Sequence, residues 1–219
     1  MLRSSTLILA TSGVAAMACV AAAVPIVPGD FISPLPGTTS AAEPQLAGVT
    51  VQDVQRTIAG NFVGSNLPYE IKVQDRVVLA TDGTYDFYYS VTFVDKPDAY
   101  PLGISRDGFA GYSSNVGWRS DGTGTVAPQS ATRTLDGDKV QFNFSGPSVP
   151  EGTVTRFFFV DTQATSYAFN GEAIVDLSPS FNENARVAFS TFAPAVPEPA
   201  LLGSLTFALF LLPRRSKRV

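Results

Sequence analysis

From Tyr85 to Phe93 the chain alternates without a break. Tyr85, Phe87, Tyr89, Val91 and Phe93 fall on one side, and Asp86, Tyr88, Ser90 and Thr92 on the other. A period of two sustained over this length fits a pleated strand with one buried face, and a helix cannot use it. The pattern returns in Tyr69, Ile71 and Val73, which alternate with Glu70 and Lys72, and in Val140, Phe142 and Phe144. Phe157 to Val160 is a continuous apolar run, as in a strand covered on both faces or one at a sheet interface. Ile174, Val175 and Leu177, followed by Val187, Phe189 and Phe192, read as closing strands. No amphipathic helix stands out. Short strands separated by Gly, Pro and Asp turns predict an all-β chain, an antiparallel β-sandwich in a single domain over residues 49–192.

One hairpin can be set in register. Strand 69–79 meets strand 84–94 through Thr81-Asp82-Gly83. A two-residue loop would pair Val77 with Tyr88 and set an apolar face beside a polar one. A three-residue loop pairs Leu79 with Tyr85, Val77 with Phe87 and Val73 with Val91, with Gly83 in the left-handed position. The second register is predicted. Asp75 then lands on the apolar face, which predicts a bulge or bend beside it. Leu135 to Lys139 is a second candidate turn.

The ends differ from the middle. Arg3, the apolar stretch from Leu7 to Val20 and the small residues Ala21-Ala22-Ala23 make residues 1–23 a candidate signal peptide, with cleavage after Ala23. Residues 24–48 carry Pro25, Pro28, Pro34, Pro36 and Pro44 and read as an extended linker. At the other end, Val196-Pro197-Glu198-Pro199 precedes the apolar run Leu201–Leu212, and Arg214, Arg215, Lys217 and Arg218 follow it. The run carries no charge, and the cations after it act as a cytoplasmic stop that leaves the domain on the far side of a membrane. A twelve-residue helix covers roughly 18 Å, against about 30 Å of hydrocarbon. That is a short span for a permanent anchor and suits a tail that is processed.

Composition removes several chemistries. The chain has no histidine and one cysteine, Cys19, inside the candidate signal peptide. Ser-His-Asp triads, Cys nucleophiles, Cys/His zinc sites and disulfides are therefore outside the domain's means. Without Arg3 and the tail cations, ten basic residues face nineteen acids between Asp30 and Glu198, a net charge near −9. This disfavours nucleic acid as a partner. Glu70, Glu151, Glu172 and Glu183 are scattered singly, so no carboxylate pair of the hydrolase kind can be read, and no enzymatic activity is expected.

Candidate binding residues are few. Trp118, the single tryptophan, stands beside Arg119 and the Asp121–Gly124 loop, with Tyr112 near in sequence. It is either a core residue or, with Tyr112 and Tyr88, part of an aromatic surface that stacks on sugar rings. Among the tyrosines of strand 84–94, only Tyr88 points off the proposed core face. The aspartate turns (Asp95/Asp98, Asp121, Asp136/Asp138) are candidate Ca²⁺ ligands, although ordinary turn chemistry also explains them. No other cofactor is implied.

The order of short motif, apolar run and basic stop in residues 193–219 resembles the PEP-CTERM sorting signal of bacterial exported proteins. The resemblance implies recognition of Val196 to Pro199 by an exosortase-type membrane enzyme, with the membrane as partner before processing. Gly83 to Val91, Phe109 to Tyr112, Asn115 to Trp118, Val140 to Phe144, and Thr153 to Asp161 with Ala164 to Tyr167 are similar to segments of exported β-domains that precede such tails. The likeness implies a cell-envelope or extracellular location and a structural or interaction role at the cell surface or in an exopolysaccharide or biofilm matrix. The alternatives are a carbohydrate-binding module using exposed aromatics and, behind it, a carboxylate-dependent glycan hydrolase.

Overall fold

A computed structural model describes residues 22–95, 100–144, 151–180 and 183–195. The candidate signal peptide up to residue 21, the sorting motif and the membrane stop lie outside them. The first four strands are β1 (Val24–Pro25), β2 (Phe31–Ile32), β3 (Gly37–Thr38) and β4 (Val49–Asn61). Then come β5 (Pro68–Leu79), β6 (Tyr85–Asp95), β7 (Tyr100–Arg106), β8 (Ser114–Arg119) and β9 (Ser130–Arg133). The chain continues with β10 (Val140–Phe144), β11 (Phe158–Thr162), β12 (Tyr167–Ser180) and β13 (Glu183–Pro194). Among the described residues the one helical element is a 3-10 turn at Pro44–Leu46.

The strands form two sheets. The first runs β1-β8-β11-β6-β5-β4, with β3 also on β8, and the second runs β13-β12-β7-β10-β9-β2. Strand pairs are antiparallel apart from β3 on β8. The sheets share one apolar core: Ile71, Val77, Phe87 and Val160 from the first meet Ile104, Phe142 and Val175 from the second. The architecture is all-β and consistent with the expected sandwich.

The β5–β6 hairpin has the predicted register. Leu79 faces Tyr85, Val77 faces Phe87 and Val73 faces Val91. Ala80 N–H donates to Thr84 O at 2.8 Å, and Gly83 takes φ +88° in the turn. Residues 135–139 also form a hairpin turn, with Thr134 N–H donating to Lys139 O at 2.9 Å. The bend expected beside Asp75 is absent. The ladder runs unbroken from Ile71 to Leu79, and its irregularity lies between Glu70 and Ile71. Asp75 keeps its inward place because charges meet it there. Its side chain is 0% exposed, with Arg106 Nη2 at 3.0 Å and Arg56 Nη1 at 3.3 Å. Thr191 Oγ1 donates to it at 2.6 Å.

The Pro-rich segment 24–48 is not a linker. It is bound along the first sheet and the edge of the second. β1 pairs with β8, β2 with β9 and β3 with β8. Ile26, Leu35, Thr38 and Leu46 are buried. Leu35 N–H donates to Gln129 O at 2.7 Å, and Ser120 N–H to Thr38 O at 2.8 Å. Proline composition suggested an unpaired chain. Very short strands between prolines satisfy the backbone just as well, because proline is tolerated at edges and strand ends. The segment also explains the run at 157–160. Phe158 and Val160 face the shared core, while Phe159 packs outward with Tyr88, Phe157 and Val78 under Leu46. The strand is covered on both faces, as predicted.

Candidate functional site

Cross-strand register decides which side chains share the outer face of the first sheet. Arg76 lies opposite Tyr88, Tyr88 opposite Phe159, and Phe159 opposite Gly117. One step along, Val78 faces Asp86, and Asp161 faces Asn115. The Pro-rich lead-in, residues 24–48, crosses this face and leaves a cavity of about 380 Å³ beside it. Tyr88, Val78, Phe157 and Leu46 form its apolar base, and Arg76 and Arg119 stand at its sides. The volume is that of a small-ligand cleft.

Both guanidiniums are held from behind. Arg119 meets Asp121 bidentately, Nε to Oδ1 at 2.8 Å and Nη2 to Oδ2 at 2.9 Å. It also donates to Ser40 Oγ at 2.6 Å and to Leu46 O at 3.2 Å. These bonds tie the lead-in to β8 and its following loop. The Arg119 hydrogen bonds, with help from Ser40 and against partial burial, hold the Asp121 carboxyl far below the usual carboxylate range. Arg76 stacks 4.5 Å from the Phe157 ring centroid and donates to Asp53 Oδ2 at 2.7 Å. The site thus offers fixed donors paired with carboxylates over an apolar base, an arrangement suited to a polyhydroxyl surface and short of a reacting group.

The sequence-predicted residues are dispersed. Tyr88, expected at the surface, is only 4% exposed. Its hydroxyl donates to Leu46 O at 3.3 Å, and burial raises its ionisation well above that of a free phenol. The reason is the lead-in, which turns the polar side of β6 into a second buried face. Trp118 is half-buried. Its Nε1–H donates to Leu35 O at 3.0 Å, and Arg156 lies 5.2 Å from its ring centroid. A side chain at Gly37 would overlap its ring, so the lead-in is pressed against it. Tyr112 lines a different cavity of about 360 Å³, with Pro25, Val27 and Arg133. The three aromatics therefore form no common platform.

The aspartate turns behave as turns. Asp136 accepts from Thr134 Oγ1 at 2.5 Å and Asp138 N–H at 3.0 Å. Asp138 accepts from Gly108 N–H at 3.1 Å. Asp98 lies outside the described residues. Among the described residues no group of three or more carboxylates comes together to hold a metal ion.

One carboxyl pair was missed. Asp86 and Asp161 are neighbours across β6 and β11 on the outer face, close enough for each to act on the other's charge. Burial first, and the Asp161 charge second, push Asp86 up to about 9. It is therefore protonated at neutral pH. Burial also raises Asp161, against the 2.8 Å hydrogen bond from Asn115 Nδ2. The alternation alone placed Asp86 on a polar side, where a buried acid is not expected. Arg76, Phe157 and Ser40 meet only through contacts between separate segments, which no local pattern marks.

No family model matches the chain, and no curated protein or solved structure is similar to it.

Proposed function

We propose that this is an exported, tail-sorted β-domain with a structural or interaction role at the cell surface or in the extracellular polysaccharide matrix, and that it contacts glycan through the cleft between Arg76 and Arg119. Export and sorting rest on the two terminal segments of the sequence, including Val196 to Pro199 and the basic stop. The contact rests on one observation: two guanidiniums, each oriented by its own carboxylate, flank an apolar base in an open cleft. Such pairs present alternating donors and acceptors to hydroxyls without a net local charge. Hydrolysis is less well supported. Asp86 is fully buried and Asp161 lies directly beside it on the neighbouring strand, whereas glycoside hydrolysis needs carboxyls about 5 Å or more apart with a sugar between them.

Affinity electrophoresis of the exported protein through gels containing different bacterial polysaccharides tests the contact. Thr50 is exposed at the cleft mouth, so Thr50→Trp fills the cleft without touching the core. Retardation on at least one polysaccharide, lost in Thr50→Trp, is the expected result. No retardation on any of them, or retardation equal in both proteins, overturns the glycan contact. Intact mass of the exported protein tests the sorting, and retention of residues 197–219 refutes removal of the tail.

A further inference from the structure

One corner of the first sheet's outer face carries carboxyl groups without cations. Glu43 is 9% exposed. Its partners are the Ala23 backbone nitrogen, 2.8 Å from Oε2, and the Gln45 side chain at 3.4 Å. Among the described residues no lysine or arginine forms an ion pair with it. Its charge acts on Asp161, which in turn abuts Asp86. Asp86 is 0% exposed and, pushed up to about 9, is neutral, so the uncompensated charge of the corner is that of Glu43. A buried carboxylate met only by a peptide N–H and an amide is poorly compensated. The corner is short of one positive charge.

The chain has a way to supply it. Ala23 packs against the cluster of Leu46, Val78, Tyr88, Phe157 and Phe159, and Val24 is already paired with Val116. The nitrogen facing Glu43 thus belongs to a residue packed into the fold, while Ala22 is exposed. Ala22 follows Val20 and Ala21, so the bond Ala22–Ala23 has a small residue immediately before it, as signal-peptide cleavage requires.

We propose that the mature protein begins at Ala23 and that its new α-ammonium docks on Glu43 as the counter-charge of this acidic corner. The inference rests on the export reading. It moves the cut one residue upstream of the bond after Ala23, because that cut would discard the nitrogen that Glu43 holds. In the step itself, a membrane signal peptidase adds water across the Ala22–Ala23 peptide bond. Ala22 leaves with the new carboxylate, and the Ala23 nitrogen takes up protons to become an ammonium. The peptide N–H that already donates to the carboxylate is replaced by an ammonium, which adds the attraction of opposite charges to the hydrogen bond. Processing and the last packing step of the domain are thereby coupled.

N-terminal sequencing of the protein exported by a bacterial host from the full chain decides the matter. Ala23 as first residue is expected. A cleaved chain starting at Val24 or any other residue overturns the docked amine and leaves export standing. A chain that keeps Met1 and stays in the cytosol overturns both. A second measurement tests the pairing on the same material. Glu43→Gln conserves shape and still accepts a hydrogen bond, but it no longer holds the amine protonated. The rate of α-amine acylation in the native state should rise about tenfold in this variant, as expected when an adjacent opposite charge is withdrawn. Equal rates in the two proteins overturn the pairing.

Discussion

Replacing Asp75 by asparagine conserves its volume and removes its charge. Arg106, 1% exposed, then loses the carboxylate that lies 3.0 Å from its Nη2. It keeps its place over the Tyr89 ring, 3.0 Å from the centroid. Arg56 also contacts Asp75 but is partly in water and can rehydrate. The full penalty therefore falls on Arg106. Breaking a buried pair from one side costs about 3–5 kcal/mol, which for a chain of this size corresponds to a fall in Tm of roughly 10 °C. Replacing both members by apolar residues, Asp75→Val with Arg106→Met, should restore most of that loss, because the desolvation of both charges disappears with the pair. Thermal and urea unfolding followed by the fluorescence of Trp118, the single tryptophan, reads all three proteins. A cost below about 1 kcal/mol for Asp75→Asn refutes the reasoning. So does a double variant that loses the sum of the two single losses.

Three further outcomes follow from buried groups. Asp86 releases its proton near 3.8 when unfolded and holds it to about 9 when folded; its site is fully stabilising below the lower value and loses that stability as pH rises toward the upper one. Asp86→Asn, which mimics the protonated acid, should raise Tm at pH 8 and flatten its decline between pH 5 and 9; an unchanged slope refutes the assignment. Arg133 gives its guanidinium to the carbonyls of Gly137, Ile26, Phe109 and Tyr112, all at 2.8–2.9 Å. Arg133→Met leaves these acceptors without donors at about 1–3 kcal/mol for each that water cannot reach, so it should unfold the domain near room temperature, and a near-native Tm would show that the clamp is dispensable. Gly37→Ala drives a methyl into the Trp118 ring; the expected loss is about 1–3 kcal/mol with red-shifted emission, and an unshifted spectrum counts against the packing of the lead-in on Trp118.

The sheets were legible because the signal was local. Alternation from Tyr85 to Phe93 and the turn at Asp82-Gly83 set the β5–β6 register without knowledge of any distant residue. The run Phe157 to Val160 announced its double burial for the same reason. What could not be read depends on contacts far apart in sequence. Tyr88 and Asp86 look like surface residues until residues 43–48 lie over them. Asp75 looks like a fault in a strand until Arg106 and Thr191, contributed by the other sheet, close around it. The cleft likewise needs Ser40, Arg76, Arg119 and Phe157 from separate segments. Local pattern marks Phe157 only as an apolar residue of a strand and Arg119 only as a neighbour of Trp118, and it gives no sign that the four meet.

The corrected lead-in also changes what the processing segments face. Among the described residues the chain is held closely from Ala23 to Ala195, whose N–H donates to Ser166 O at 3.1 Å and whose carbonyl accepts from Ser166 Oγ at 2.6 Å. The proposed sorting motif begins at the next residue, Val196. A processing enzyme that must draw the chain into an extended conformation works on segments free of such bonds. An enzyme acting at the proposed motif would first have to release Ala195 from Ser166 or wait for the end of β13 to fray. A spacer of about six Gly and Ser residues between Ala195 and Val196 adds up to roughly 20 Å of free chain. It should therefore accelerate tail removal in a pulse-chase measurement by mass, without altering Tm. Ser166→Ala, which removes one of the two bonds, should accelerate it less. Equal processing rates in all three proteins would mean that the enzyme cuts far enough from the fold for the anchoring of Ala195 not to matter.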